Sequence, residues 1–261
     1  MFFTYWEGDQ FSYFNYLTIL SLYKLNPGKD ITVYTSEVPQ NDGKKTWTTC
    51  EHSVDINKIY NFSDILPMVN LVKINFEKTY GISNDMNVVN KGDCIRVIKL
   101  YEHGGMWFDM DILFIKPIPD YMLNNQDHQM ITHAYHGTIA TGIISCQPKS
   151  KIMKIMNDAL FNKIKLYSNT EIKGYQWVGC DLWRDVVLET RPTELLLARI
   201  SDVYPYLYDN LNELYYSTRD VISENTYAIH WYNGSPVSRN FINNFDINEN
   251  NVFNKYVRAI V

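Results

Sequence analysis

The apolar positions of the chain change period along its length. "FFTYW" (2–6) is a short buried strand by composition, and "DQFSYFNYLTILSLYKL" (9–25) puts Phe11, Phe14, Leu17 and Leu20 near helical spacing before "NPG" stops it. "DITVYTS" (30–36) alternates and is β-branched, which predicts a strand. Strand, helix and strand at this spacing make a βαβ unit and imply parallel pairing. Residues 37–83 carry no clear period and read as short helices and loops. A helix is expected over 84–105, with its C-cap at Gly104 or Gly105, followed by a strand through "MWFDMDILFI" (106–115). "QMITHAYH" (129–136) and "TIATGIISC" (138–146) read as strands. In 150–164, Ile152, Ile155, Met156 and Ala159 share one helical face. Helices are expected over 181–190 and 192–200, strands over 202–208 and 226–232, and a closing helix from Asn248 to Val261. No repeat, low-complexity tract or linker interrupts the chain, so residues 1–261 are expected to form one α/β domain with a mixed sheet flanked by helices.

Composition narrows the function classes. The chain has 261 residues, 46% hydrophobic and 20% charged, with a formal net charge of -5 and no basic block, which argues against a nucleic-acid partner. The first residues lack a basic segment before an apolar one, and no apolar run reaches about 18 residues. These features lead to the expectation of a soluble, cytoplasmic protein without a transmembrane segment. Cys50, Cys94, Cys146 and Cys180 are scattered and read as free, buried thiols. The 20 tyrosines are explained more readily by the base composition of the gene than by a carbohydrate-facing surface.

The candidate chemistry lies in "YEHGGMWFDMDILFIKP" (101–117). On the strand expected here, Asp109 and Asp111 share a face while Phe108, Met110 and Ile112 point the other way into the core. Two carboxylates about 5 Å apart repel by about 3 kcal/mol at an effective dielectric near 20. A divalent cation offsets such repulsion, and Mg²⁺ and Mn²⁺ take oxygen ligands. A solvent-facing pair at a sheet edge is the bland alternative. On the preceding helix, Asp93 and Arg96 are one turn apart. They are either a surface ion pair or a hydroxyl- and phosphate-binding pair.

With these residues in place, "NKGDCIRVIKLYEHGGMWFDMDILFIKPI" resembles the D-x-D region of the family 32 glycosyltransferases and of the related clostridial glucosylating toxins. Asp93, Arg96, Leu100-Tyr101, Gly104-Gly105, Asp109 and Asp111 fall on the shared pattern, with Trp107 where the family usually has Tyr. "YWEG" (5–8) is similar to the family's first strand. "YAIHWYNGSP" (227–236) resembles its late segment, with Pro236 in place of a Trp. The resemblance implies a GT-A glycosyltransferase fold and transfer of a hexose from a nucleotide sugar, UDP favoured and GDP possible, to a glycan or protein acceptor, with retention of configuration. It implies Mn²⁺ or Mg²⁺ on Asp111, with Asp109 at the ribose and the metal, and His230 as third ligand or diphosphate contact. Asp93 and Arg96 would hold the donor sugar and Trp6 would lie at the base. Without the resemblance His230 reads as a buried strand histidine bonded to a carbonyl; with it the two readings stand even. His103, His133 and His136 read as structural. Asp181 is either a helix N-cap or a spare carboxylate, and Thr141 and Gly142 are candidates for an acceptor-side loop. Phosphohydrolases of the D-x-D-x-T type are set aside because Leu113 stands at the Thr position. Nucleotidyltransferases are set aside because "YWEGDQF" lacks a Gly-rich basic loop. A catalytically inactive sugar-nucleotide or glycan-binding module remains the alternative.

Overall fold

A computed structural model describes the chain except residues 9, 40–47, 50–51, 54–58, 125–127, 136–137 and 167–175. His136 and Cys50 therefore lie outside the described residues. Nine strands are used below: β1 (Phe2–Tyr5), β2 (Ile31–Ser36), β3 (Asn70–Ile74), β4 (Gly105–Phe108), β5 (Ile112–Phe114), β6 (Met130–Tyr135), β7 (Thr138–Cys146), β8 (Leu195–Ala198) and β9 (Ala228–His230). The main helices are α1 (Tyr13–Leu25), α2 (Val88–His103), α3 (Lys151–Leu166), α4 (Cys180–Thr190), α5 (Leu211–Tyr216), α6 (Pro236–Asn243) and α7 (Val252–Ile260).

Seven strands form one mixed sheet in the order β8-β6-β7-β4-β1-β2-β3. The pairs β1/β2, β1/β4, β2/β3 and β6/β8 are parallel, and β4/β7 and β6/β7 are antiparallel. β1 is buried on both faces, as expected of a central parallel strand. Its alternate residues serve opposite layers: Phe3 and Tyr5 pack with Ile95, Ile98, Met153 and Trp183, while Phe2 and Trp6 pack with Ile19, Leu22 and Phe108. A third cluster, around Phe14, Trp231, Phe241 and Phe253, joins α1 to the C-terminal helices.

The βαβ unit is observed, with α1 starting later than expected. Ser12 caps it in a reciprocal pair with Asn15, so the chain before Tyr13 is extended rather than helical. Asn87 caps α2 by accepting from the Val89 N–H, and Gly104 ends it. Gly104 and Gly105 both have positive φ, 63° and 87°. A Cβ on Gly104 would lie 2.5 Å from the Pro148 nitrogen, and one on Gly105 would lie 2.7 Å from the Met1 carbonyl oxygen. The double glycine is thus what lets α2 turn directly into β4.

Two expected elements differ here, and one strand was not expected. Residues 192–200 are not helical: Leu195–Ala198 add to the sheet edge beside Met130–His133. Three successive leucines fit either state, and pairing with an open edge decides it. Residues 202–208 form irregular backbone and short 3-10 turns rather than a strand, with Pro205 in their middle. Asn70–Ile74, unread in the sequence, is the opposite edge strand.

Candidate active site

The D-x-D segment is not one strand. β4 ends at Phe108, Asp109 to Asp111 form a turn, and β5 begins at Ile112 in a separate two-stranded ladder with β9. The shared-face argument from strand alternation therefore fails. What fixes the turn is polar and buried. The Met110 carbonyl accepts from Asn15 Nδ2 at 2.7 Å and from Thr18 Oγ1 at 3.1 Å, both on α1. The Asp109 N–H donates to the Gly142 carbonyl at 2.8 Å, so β7 closes one side of the turn.

Register then brings in the remaining groups. His230 pairs with Ile112 across β5/β9, and the Trp231 N–H donates to the Asp111 carbonyl at 2.9 Å. That places His230 Nε2 3.3 Å from Asp111 Oδ1. The Asn233 N–H donates to Asp111 Oδ2 at 2.9 Å. From α2, Arg96 reaches Asp93 Oδ1 at 2.8 Å, Asp109 Oδ1 at 3.3 Å and the Thr141 carbonyl at 2.9 Å. Asp93 and Arg96 are both buried, so they are not a surface ion pair. Trp107 donates its indole N–H to Asp109 Oδ1 at 2.7 Å and lies under the Arg96 guanidinium at 4.9 Å. An indole can therefore supply the polar contact a tyrosine hydroxyl would make at this position.

Electrostatics distinguish the three acids. Burial raises the Asp93 carboxyl to about 6, with Arg96 opposing the rise and Asp109 adding to it. Asp109 is also raised, by burial and by Asp111, against the pull of Arg96. Asp111 is lowered: burial opposes this, but the His230 imidazole and the Asn233 N–H outweigh it. Burial would lower His230, yet the Asp111 carboxylate holds it above the ordinary histidine range.

Among the described residues, Asp109, Asp111 and His230 present one ligand atom each, all within 4.8 Å of one another. Two carboxylates and an imidazole are a donor set that suits Mn²⁺ and, through the oxygens, Mg²⁺. His230 Nδ1 is buried and has no hydrogen-bond partner among the described residues. The residues present fit a divalent cation.

Two cavities meet at this cluster, and Val89, Arg96, Asp109, Asp111 and Gly234 line both. The smaller, about 130 Å³, runs toward Thr4, Tyr5, Trp6 and Asn15 at the carboxyl end of β1. The larger, about 770 Å³, runs past Thr141, Gly142, Gly179, Cys180 and Tyr204. Trp6 is largely buried and meets Phe11 edge to face, so it forms part of the small cavity's wall rather than a free platform. His103 is half exposed beside Glu102, and His133 is buried against the Tyr227 hydroxyl; neither lines either of these two cavities. Asp181 pairs with Arg184 at 2.9 Å and makes no side-chain cap, because Gly179 holds the N-cap position of α4. Cys94 and Cys146 are buried free thiols, and Cys180 is half-buried.

Tyr204, Gly179 and Asn233 were not read from the sequence as site residues. Tyr204 accepts the Gly142 N–H at 3.2 Å and stacks on His230 with ring centroids 5.1 Å apart. A Cβ on Gly179 would lie 2.6 Å from Asp93 Oδ2. "VGCD" offered a glycine before a helix as a signal; nothing adjacent to Tyr204 pointed to the site.

Residues 15–131 match the family profile of the glycosyltransferase sugar-binding region containing DXD motif. Among solved structures, the PaToxG glycosyltransferase is similar at TM-score 0.48 and 14% identity, with 72% of this chain and 67% of that chain covered. Galactosyltransferase LgtC in complex with donor and acceptor sugar analogs gives TM-score 0.45 and 10% identity, covering 88% and 87%. The apo structure of the bifunctional glycosyltransferase WbbM gives TM-score 0.55 and 10% identity, covering 100% of this chain and 49% of that one. This chain thus spans about half the length of WbbM. Such identities speak for the fold alone, and the fold assignment rests on the last likeness. A search of curated protein sequences finds no match. The fold is the GT-A glycosyltransferase fold, a mostly parallel seven-stranded sheet between helices. The profile match covers Asp93, Arg96, Asp109 and Asp111, so residues 15–131 resemble the glycosyltransferase sugar-binding region containing the DXD motif. No described helix is long and apolar enough to cross a membrane.

Proposed function

We propose that residues 1–261 act as one catalytic domain that transfers a hexose from a nucleotide sugar, with UDP as the favoured carrier, to an acceptor hydroxyl with retention of configuration. The observation that carries this reading is the junction of two cavities on a cluster of buried Asp93, Arg96 and His230 with half-buried Asp109 and Asp111. The small cavity takes the nucleoside beside Trp6, with Asp109 near the ribose. The larger one takes the hexose, with Asp93 accepting from its hydroxyls and Arg96 donating to hydroxyl or diphosphate oxygens. Asp109, Asp111 and His230 would hold Mn²⁺ or Mg²⁺, which when bound stabilises negative charge on the diphosphate.

In the reaction the bond from the anomeric carbon to the diphosphate oxygen breaks and one to the acceptor oxygen forms. Among the described residues, the carboxylates lining the larger cavity are Asp93, Asp109 and Asp111, and each is engaged in the cluster. Asp181 is turned to Arg184. Among the described residues no separate carboxylate is offered as nucleophile, which favours attack from the face the leaving group departs from. The acceptor proton then passes to the departing diphosphate oxygen. The buried walls exclude water, and Arg96, fixed by three oxygens, orients the donor.

The test is acceptor-independent release of nucleotide from a panel of UDP- and GDP-sugars, with Mn²⁺ or with EDTA. Metal-dependent release from one donor, lost in Asp111→Asn with the fold intact, is the expected result. Donor binding without release would favour an inactive binding module. Failure of every nucleotide sugar to bind in the presence of Mn²⁺, measured by calorimetry, overturns the reading.

A further inference from the structure

The wall of the larger cavity carries four aromatic rings in series, leading outward from the acid cluster. Tyr204 stacks on His230 at 5.1 Å, His230 meets Tyr232 at 4.2 Å, and Tyr232 meets Tyr208 edge to face at 5.7 Å. Tyr204 is buried, whereas Tyr208 and Tyr232 are half-buried. Tyr232 is also held at φ 52°, a left-handed conformation that a bulky residue rarely adopts. That conformation lets the chain leave β9 so that the Asn233 N–H meets Asp111 while the Tyr232 ring stays against His230. The ring position and the grip on the D-x-D turn are therefore set by one backbone feature.

The charge of the lining is equally informative. Beyond Asp93, Arg96, Asp109, Asp111 and His230, no Asp, Glu, Lys, Arg or His lines this cavity among the described residues. The remaining polar side chains are those of Gln176, Thr141, Cys180 and the three tyrosines. An outer cavity with aromatic faces, an amide and a hydroxyl suits a ligand with apolar C–H faces and many uncharged hydroxyls. Beyond Arg96 and His230 at the acid cluster, it offers no cationic side chain among the described residues to pair with a phosphate or a carboxylate on an incoming acceptor. The volume, about 770 Å³, lies within the roughly 300–1,000 Å³ of small-molecule sites.

We propose that the outer half of this cavity is an acceptor subsite for an uncharged pyranose, whose C–H face lies on the Tyr208 and Tyr232 rings and whose hydroxyls meet Gln176 and Thr141. The acceptor is accordingly the end of a neutral glycan. This inference rests on the glycosyltransferase reading for its place in the reaction, but the binding site itself can be tested apart from it.

The experiment is saturation-transfer NMR on the intact chain with methyl glucoside, methyl galactoside, methyl mannoside, glucose 6-phosphate and a Ser/Thr peptide, each with and without UDP and Mn²⁺. Saturation of the ring C–H protons of at least one neutral hexoside is expected. Tyr208→Leu should weaken that hexoside about tenfold, and Tyr208→Phe, which keeps the ring, should restore it. In transfer assays the Leu variant should raise the acceptor KM more than the donor KM. The proposal is overturned if no neutral hexoside is saturated, if the Leu variant binds as the wild type does, or if the phosphorylated sugar or the peptide is preferred. Hexoside binding through Tyr208 without nucleotide release from any donor would keep the saccharide site and sink the transferase reading. Release without hexoside binding would do the reverse.

Discussion

Glu7 and Lys91 form an ion pair whose side chains are 2% and 0% exposed, which makes it the sharpest test of the forces beneath the small cavity. Lys91 Nζ lies 3.3 and 3.2 Å from the two Glu7 oxygens and 5.5 Å from the Phe76 ring centroid. Tyr5 donates its hydroxyl to the same carboxylate, and that phenol is raised far above its ordinary value by burial and by Glu7. The pair fastens the loop after β1, which carries Trp6, to the first turn of α2, which leads to Asp93. At 3.2 Å and an effective dielectric near 20 the attraction is about 5 kcal/mol, while burying each ion costs several kcal/mol. The intact pair is therefore close to neutral for stability, and either half left alone is costly. Lys91→Met and Glu7→Gln should each destabilise by about 3–5 kcal/mol, a large fraction of a typical domain's stability. The double variant removes both charges and should cost under about 2 kcal/mol, because neither ion is then stranded. Urea unfolding of the four proteins gives the coupling energy directly. Single losses below about 1 kcal/mol that simply add would refute the reasoning and show that water or a shared proton neutralises the pair.

Three further outcomes are expected. Asp93 has a folded pKa of about 6 against 3.8 unfolded, so the folded state holds the extra proton between those values and stability falls as pH rises through them. Relative to Asp93→Asn, the metal-free wild type should lose about 2 kcal/mol between pH 4.5 and 7.5 in urea titrations, and a difference independent of pH would contradict this. Gly179→Ala puts a Cβ 2.6 Å from Asp93 Oδ2 and 3.0 Å from its Cγ, so the carboxylate must shift. A fall of about 100-fold in donor turnover with a folded protein is expected, and full activity would show that Asp93 has room to spare. Mn²⁺ at about 100 times its Kd should raise the wild-type Tm by about 5–10 °C; Asp111→Asn should not respond, and an equal rise in both would place the ion elsewhere.

Local signals carried much of this fold into the sequence. The β-branched run at 31–36 and the double glycine after His103 each correspond to a feature of the structure, because each acts on its nearest neighbours. Errors fell where distant pairing decides. Leu195–Ala198 is a strand because the edge beside Met130–His133 is open to it, which no window around three leucines reveals. The D-x-D break was hidden by hydrophobicity that runs unchanged from Met106 to Ile115. The groups that hold the break are Asn15 and Thr18, about 90 residues earlier, and the only local hint was buried polar residues on a helix without a polar stripe. Asp93, Arg96, Asp109, Asp111 and His230 were all named from sequence, and the structure brings all five together. Tyr204 was not, because its link to them runs through the Gly142 backbone and the His230 ring.

Breaking the strand resolves the difficulty of placing two carboxylates one residue apart in an apolar run. On a continuous strand Asp109 and Asp111 would point the same way and compete for the same partners. The turn at Met110 gives each its own: Arg96 and Trp107 for Asp109, His230 and the Asn233 N–H for Asp111. The repulsion is divided in this way but not removed. With Asp93 included, three carboxylates face one arginine and one imidazole among the described residues, so ionised acids outnumber cations even when His230 is protonated. A purely structural cluster would gain from one more positive side chain. The surplus negative charge instead sits where the two cavities meet, held by groups that fix its geometry without neutralising it. Such an arrangement is stable enough to fold and incomplete enough to bind, which is the electrostatic requirement for gathering a divalent cation and a diphosphate at one point.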